Sequence, residues 1–259
     1  MTHRFFLGGR DLEMQEIRIL LDRYAPNRTE DLHLPWGARL SSYRQPLLSA
    51  LAHGETPVLA ELLDDLPPEA FDRAAVIIVD HHGDRAGTAQ PTSIEQVFHL
   101  LGLPPDAWTR WLSLVSANDR AHVAGMLAIG ASRDEIIAIR KADRAAQGVT
   151  ADDEAEAARV IGERKQDGRL TIITISGTTS SPVADLMLPA LGGPGYDRLM
   201  VRMRGEVAVF ADGTAIERLA AQFPGSWWGG DLPRAGFWGM NAAAEKTNEL
   251  NTAINLLRY

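Results

Sequence analysis

The chain has 259 residues, 45% hydrophobic and 23% charged, the composition of ordinary globular protein and enough length for two domains, each with its own core. It contains no cysteine, which excludes disulfides, zinc–thiolate sites and thiol nucleophiles. The formal net charge of −8 is uneven, with 18 basic against 26 acidic side chains before residue 169 and eight of each from there on. Long nucleic acid, whose binding draws on basic patches, is therefore disfavoured.

Arg4–Gly8 reads as a short buried strand running into Gly8-Gly9, and Asp11–Tyr24 places Leu12, Ile17, Leu20 and Leu21 at helical spacing. A polar loop leads to a helix over Pro46–His53 and a strand over Pro57–Leu62. Ala74–Val79 (AAVIIV) is a continuous apolar run, the pattern of a parallel strand covered on both faces, and it ends in Asp80-His81-His82. Helices follow over Ser93–Leu101, with Thr92 or Ser93 as cap, and over Trp108–Ala117, ending near Asn118-Asp119. From Ser132 to Arg164 the pattern is helical and charged, with a break at Gly148-Val149-Thr150 and an N-terminal signal in Thr150 followed by Asp152, Asp153 and Glu154. Beyond Gly168 the character changes. Leu170–Ile175, Leu199–Met203 and Glu206–Phe210 read as strands, Ala215–Phe223 as a helix, and Trp227–Phe237 is rich in glycine and aromatics. Arg198, Arg202 and Arg204 read as a solvent-facing basic edge. No apolar run approaches the roughly 20 residues of a membrane span, and the N-terminus does not read as a signal peptide. A cytoplasmic location is the simplest expectation.

Asp80-His81-His82 stands where a parallel strand stops, and ligands of open α/β sheets bind outside the carboxyl ends of the strands. Carboxylate oxygen with imidazole nitrogen suits manganese, iron or zinc. Asp11 and Glu13 follow the first strand, Glu61 interrupts the apolar second one, and Asp119 ends an apolar helical run. A phosphoryl-transfer site with two dications needs such a set of anionic ligands. Each acid also has a plainer reading: Asp11 as a helix cap, Glu61 as a strand-end surface residue, Asp119 as a turn former. Convergence on one face decides between the two. In the C-terminal part, Gly229-Gly230 permits close approach of backbone N–H groups to a phosphate, Arg234 offers a cationic fork, and Trp227 or Trp228 a stacking surface. His122, near Asp119, is a further candidate ligand or supporting donor.

These residues carry a resemblance. Ala75–His82 (AVIIVDHH) is similar to the signature motif of the DHH phosphoesterases, Ser93–Phe98 resembles that family's next helix, and Gly225–Phe237 resembles the glycine-rich substrate loop of its associated C-terminal domain. The resemblance implies an α/β chain with a parallel-sheet DHH domain over 1–165, including a connector helix, and a smaller α/β substrate domain with a mixed sheet over 166–259. It implies a metal set of Asp11, Glu13, Glu61, His81 and Asp119, catalytic roles for Asp80, His81 and His82, and substrate contacts from Gly229, Gly230 and Arg234. The cofactor would be one or two divalent ions, manganese by family habit. The implied activity is hydrolysis of a phosphodiester or phosphoanhydride in a small nucleotide or short oligonucleotide. No long duplex nucleic acid and no membrane is expected as partner, and association as a homodimer is left open. The chain departs from the family where Glu13 and Glu61 stand for aspartates, where Leu7 stands for a frequent histidine, and where Asp231 follows the glycines. Each Glu adds a methylene and changes ligand reach. The alternative is a catalytically impaired nucleotide- or phosphate-binding regulatory protein.

Overall fold

The computed structural model of the chain describes residues 2–35, 37–81, 90–232, 234–241 and 247–258. Two compact units divide between Gln147 and Gly148.

In the first unit, strands β1 (His3–Leu7), β2 (Thr29–Glu30), β3 (Thr56–Ala60) and β4 (Ile77–Val79) form a sheet in the order β2-β1-β3-β4, every pair parallel. Parallel neighbours need crossovers, and helices α1 (Leu12–Tyr24) and α2 (Arg44–Ala52) are two of them. Phe6 and Leu59 on one face pack with Tyr43, Leu47 and Ala50 of the α2 segment. Helix α1 buries Ile17, Leu20 and Leu21 and packs with α3 (Ser93–Leu100), α4 (Arg110–Ala128) and α5 (Arg133–Ala146). Tyr43 locks the end of β1: its hydroxyl donates to Leu7 O at 2.7 Å and accepts from Leu32 N–H at 2.9 Å.

The apolar run before His81 is shorter as a strand than its pattern predicts. Ile77–Val79 pairs with Val58–Ala60, whereas Arg73–Ala75 forms a 3-10 turn because Asp72 Oδ1 accepts from Ala74 N–H at 2.9 Å. Strand β4 is an edge strand and Ile78 is 43% exposed, so burial on both faces is not what the run encodes. The helix expected over Trp108–Ala117 continues to Ala128, with non-helical backbone at Ala121 (φ −155°) and His122 (φ 54°), directly after Asp119-Arg120.

The second unit contains helix α6 (Ala151–Ile161), strands β5 (Lys165–Asp167) and β6 (Leu170–Thr174), helix α7 (Ser181–Met187), strands β7 (Arg198–Arg202) and β8 (Glu206–Ala211), helix α8 (Gly213–Gln222), strands β9 (Trp227–Asp231) and β10 (Ala235–Asn241), and helix α9 (Thr247–Arg258). Its sheet runs β5-β6-β7-β8-β10-β9, with β6 and β7 parallel and the other pairs antiparallel. Alternation sorts the two faces: Met200, Val207, Val209 and Trp238 pack with residues of α8 and α9, Leu199 and Val201 with residues of α6 and α7. Helix α6, read from sequence as part of a connector, buries Ala157 and Val160 in that second core, which is why the units divide before it. Arg198 is not at a solvent edge; it is 4% exposed, and donates to Asp212 Oδ2 at 3.1 Å and to Leu257 O at 2.9 Å. The Gly-rich segment is a hairpin. Gly229 pairs with Phe237 and Gly230 with Gly236, and a Cβ on Gly229 would stand 2.8 Å from the Phe237 ring.

Candidate metal centre

Leu7 pairs with Ala60 and Ala60 with Val79, so the carboxyl ends of β1, β3 and β4 lie side by side. The residues just past those ends are Gly8, Glu61 and the Asp80-His81 pair. Gly8 has a packing reason: a Cβ there would stand 2.6 Å from Glu61 O and 2.7 Å from Ala60 O. Glu61 has left-handed backbone, φ 50°, uncommon outside glycine, while its N–H donates to Val79 O at 2.9 Å. Its side chain lies beside His81, with Oε1 3.6 Å from His81 Nε2.

Glu13, in the first turn of α1, and Asp119, just before the break in α4, complete a group of four with Glu61 and His81. One ligand atom from each lies within 4.8 Å of all the others. His81 Nε2 is also 3.8 Å from Glu13 Oε2 and stands against Asp119 Oδ2. Glu13 is 2% exposed and His81 9%. Helix α3 holds two of the carboxylates by its N-terminal turn, where unpaired N–H groups and the helix dipole favour negative charge. Ile94 N–H donates to Glu13 Oε1 at 2.9 Å and Ser93 Oγ donates to Glu61 Oε1 at 2.7 Å. The cap of that helix reaches Asp119's neighbour, since Glu95 Oε2 accepts from Thr92 N–H at 2.8 Å and from Arg120 Nη2 at 2.5 Å.

The group fits a cation. Glu13 Oε2, Asp119 Oδ2 and the His81 Nε2 beside them are buried without a hydrogen bond among the described residues, a costly arrangement for polar atoms. Burial, with Asp119 and Glu61 beside it, pushes the Glu13 carboxyl well above the usual range. Burial, then the charges of Glu61 and Asp119, push Asp11 up in the same way. A divalent ion among one imidazole and three carboxylates removes that conflict, and the donor set is one that manganese, iron or zinc accepts.

The other expected site residues are not members of the group of four. Asp11 lies outside the group of four and caps α1, its Oδ1 accepting from Met14 N–H at 2.8 Å. Asp80 also lies outside it, and its backbone O accepts from Gln96 Nε2 at 3.1 Å. His122 is exposed at the break in α4. His82 lies outside the described residues. Gly229 and Gly230 are in β9, one of the two edge strands of the second unit's sheet; Trp228 there is 51% exposed, and Arg234 stands exposed in the turn before β10. Sequence reasoning missed Ser93 as a side-chain donor, Arg120, and a buried set formed by Asn118, Arg140 and Asp143. A signal for the last existed: Arg140 and Asp143 share the buried stripe of α5 with Ile136 and Ile139, where a solvated charge does not belong.

Among solved structures, RecJ from Thermus thermophilus in complex with Mn2+ aligns over 99% of this chain and 52% of its own, with a TM-score of 0.55 at 14% identity. The fold is DHH-like. A second match, described as the DHH domain of a member of a ribosomal-protein family, aligns over 98% of this chain and 86% of its own, with a TM-score of 0.56 at 13% identity. The chain spans about half the length of the Thermus RecJ. No protein-family profile and no curated protein sequence matches it. The solved structures thus share the fold of this chain, and the four-residue cluster is its own. No helix among the described residues is long and apolar enough to cross a membrane.

Proposed function

We propose that this chain is a divalent-metal-dependent phosphoesterase that hydrolyses a phosphodiester or phosphoanhydride in a small nucleotide or short oligonucleotide. The observation that carries the proposal is the group Glu13, Glu61, His81 and Asp119, gathered at the carboxyl ends of parallel strands with buried oxygen and nitrogen atoms that make no hydrogen bond among the described residues. These four side chains would hold the ion, with manganese favoured by the donor set and by its presence in the structurally similar RecJ. When bound, such an ion supplies Lewis-acid polarisation of a phosphoryl oxygen and activation of water. Helix α3 fixes Glu13 and Glu61 in advance through Ile94 N–H and Ser93 Oγ, so the ligands need little reorganisation. Asp80 and His82 complete the proposed catalytic set, His82 as the group that orients the scissile phosphate. Gly229, Gly230 and Arg234 are proposed as phosphate contacts, with Trp228 as a base-stacking surface. An excess of acidic side chains in the first 168 residues favours a short substrate over a long duplex.

The test is turnover with Mn2+ over a panel of dinucleotides and nucleoside polyphosphates, compared with His81→Ala. Wild type should turn over one class and stop on chelation. His81→Ala should lose about hundredfold or more in kcat, because outer partners of a metal already cost roughly 10–100-fold and a ligand costs no less. Circular dichroism of that variant should be unchanged. Equal activity of His81→Ala and wild type refutes the proposal. A second reading, nucleotide binding without cleavage, draws on the departures of this chain: Glu13 and Glu61 are each a methylene longer than aspartate, and one oxygen of each is held by α3. Tight nucleotide binding with no turnover on any panel member selects it.

A further inference from the structure

Glu13 and Asp119 come from different helices, and a buried ion pair on a third bonds the residue before each of them. Arg140 of α5 is 4% exposed and Asp143, one turn later, 6%. Arg140 Nη1 donates to Asn118 Oδ1 at 2.9 Å and to Asp143 Oδ2 at 2.7 Å. Asn118 immediately precedes Asp119. Asp143 Oδ1 accepts from Leu12 N–H at 3.2 Å, and Leu12 immediately precedes Glu13. Gln147 Nε2 donates to Asp143 Oδ2 at 3.1 Å. A continuous polar chain thus runs from the residue before one proposed ligand to the residue before the other, through residues that are themselves buried.

Such a pair is a poor device for stability, because taking two charges out of water offsets most of their attraction, and a well-packed apolar pair does as well. Its distinctive property is geometric. A guanidinium and a carboxylate with several committed hydrogen bonds tolerate little displacement, and ligand spacing is where small displacement matters. We propose that Arg140 and Asp143 are positioning residues for the metal centre: they hold the start of α1 and the end of the straight part of α4 at the separation that lets Glu13 and Asp119 reach one ion. The inference rests on the proposed metal-centre reading.

The experiment measures Mn2+ affinity of the full chain by titration calorimetry, alongside urea unfolding, for wild type, Arg140→Met, Arg140→Lys and Asn118→Ala. Arg140→Met should weaken Mn2+ binding about 10–100-fold at temperatures where the variant is folded, the cost usual for residues that orient metal ligands. Arg140→Lys should recover part of that loss, since the bonds to Asn118 and Asp143 come from a single nitrogen that an ammonium can imitate. Asn118→Ala keeps the ion pair and cuts only its link to the Asp119 segment. It should lower Mn2+ affinity with the urea midpoint near that of wild type, and it carries the test if Arg140→Met does not fold. Wild-type Mn2+ affinity in folded Arg140→Met, or in Asn118→Ala where Arg140→Met does not fold, overturns the positioning role while leaving the metal centre in place. Absence of Mn2+ binding by wild type overturns the metal centre itself, and the positioning role with it.

Discussion

Replacing Glu13 by glutamine should make the metal-free protein more stable and the metal-bound protein less so. Gln keeps the acceptor for Ile94 N–H, now met by Glu13 Oε1 at 2.9 Å, and puts an NH2 where Oε2 has no donor. That NH2 lies in the same group as the Asp119 and Glu61 carboxylates, so a repulsion becomes an attraction. The pH dependence follows from linkage. The Glu13 carboxyl is raised well above its ordinary value by burial, Asp119 and Glu61. Below about pH 4.3, the ordinary Glu value, folded and unfolded chains both hold the proton and the group costs nothing. As pH rises above that value the unfolded chain releases its proton first, so wild-type stability falls until the folded group also ionises. A buried polar atom left without a partner costs about 1–3 kcal/mol, so Glu13→Gln should gain on that order at about pH 7.5 and nothing near pH 4. At about 2–4 °C per kcal/mol for a chain of this size, Tm in chelator should rise by roughly 2–12 °C. Saturating Mn2+, which raises wild-type Tm in proportion to its affinity, should shift the variant far less. Thermal unfolding by circular dichroism at the two pH values, with chelator and with Mn2+, reads all four quantities. A variant that is destabilised in chelator at the higher pH, or that gains equally at both pH values, refutes the account of Glu13 as an electrostatically frustrated ligand.

Two further changes test the supports of the site. Gly8→Ala drives a Cβ to within 2.6 Å of Glu61 O, a backbone atom that cannot move aside without moving the ligand; it should cost about 1–3 kcal/mol in urea unfolding and weaken Mn2+ binding as well. Ser93→Ala removes the 2.7 Å hydrogen bond to Glu61 Oε1. It should lower Mn2+ affinity about tenfold with a stability change near about 1 kcal/mol, as measured by calorimetry and urea titration.

Much of the candidate site is legible residue by residue and very little of it as a geometry. The acids at 11, 13, 61 and 119 and the histidine at 81 stand out because each follows an apolar run, and a run of that kind stops where its chain leaves the sheet. Which acids turn inward is another matter. Asp11 and Glu13 are equivalent candidates on paper, yet Asp11 spends an oxygen on Met14 N–H while Glu13 reaches the N-terminus of α3, a helix whose place depends on packing against α1. The glycines at 229 and 230 read as a loop, but they pair within a hairpin, because a glycine pattern marks close backbone approach without saying whether a loop or a strand makes it. Ile78 shows the same ambiguity, since an apolar run looks alike in a central strand and at an exposed edge.

What the sequence determined by itself is local: the caps Asp11, Thr92 with Glu95, Ser132 with Glu135 and Thr150 with Asp153 bind backbone groups within three residues, so neighbours in the chain suffice to form them. The α/β alternation is also of this kind, because hydrophobic periodicity is a property of consecutive residues. Only the tertiary structure decided that Glu13, Glu61, His81 and Asp119 meet, and that Arg140 and Asp143 turn inward to join the segments carrying two of them. Those contacts join separate elements far apart in the chain, and their geometry is fixed by how parallel strands and the helices around them pack, a cooperative outcome that no short stretch of the chain encodes.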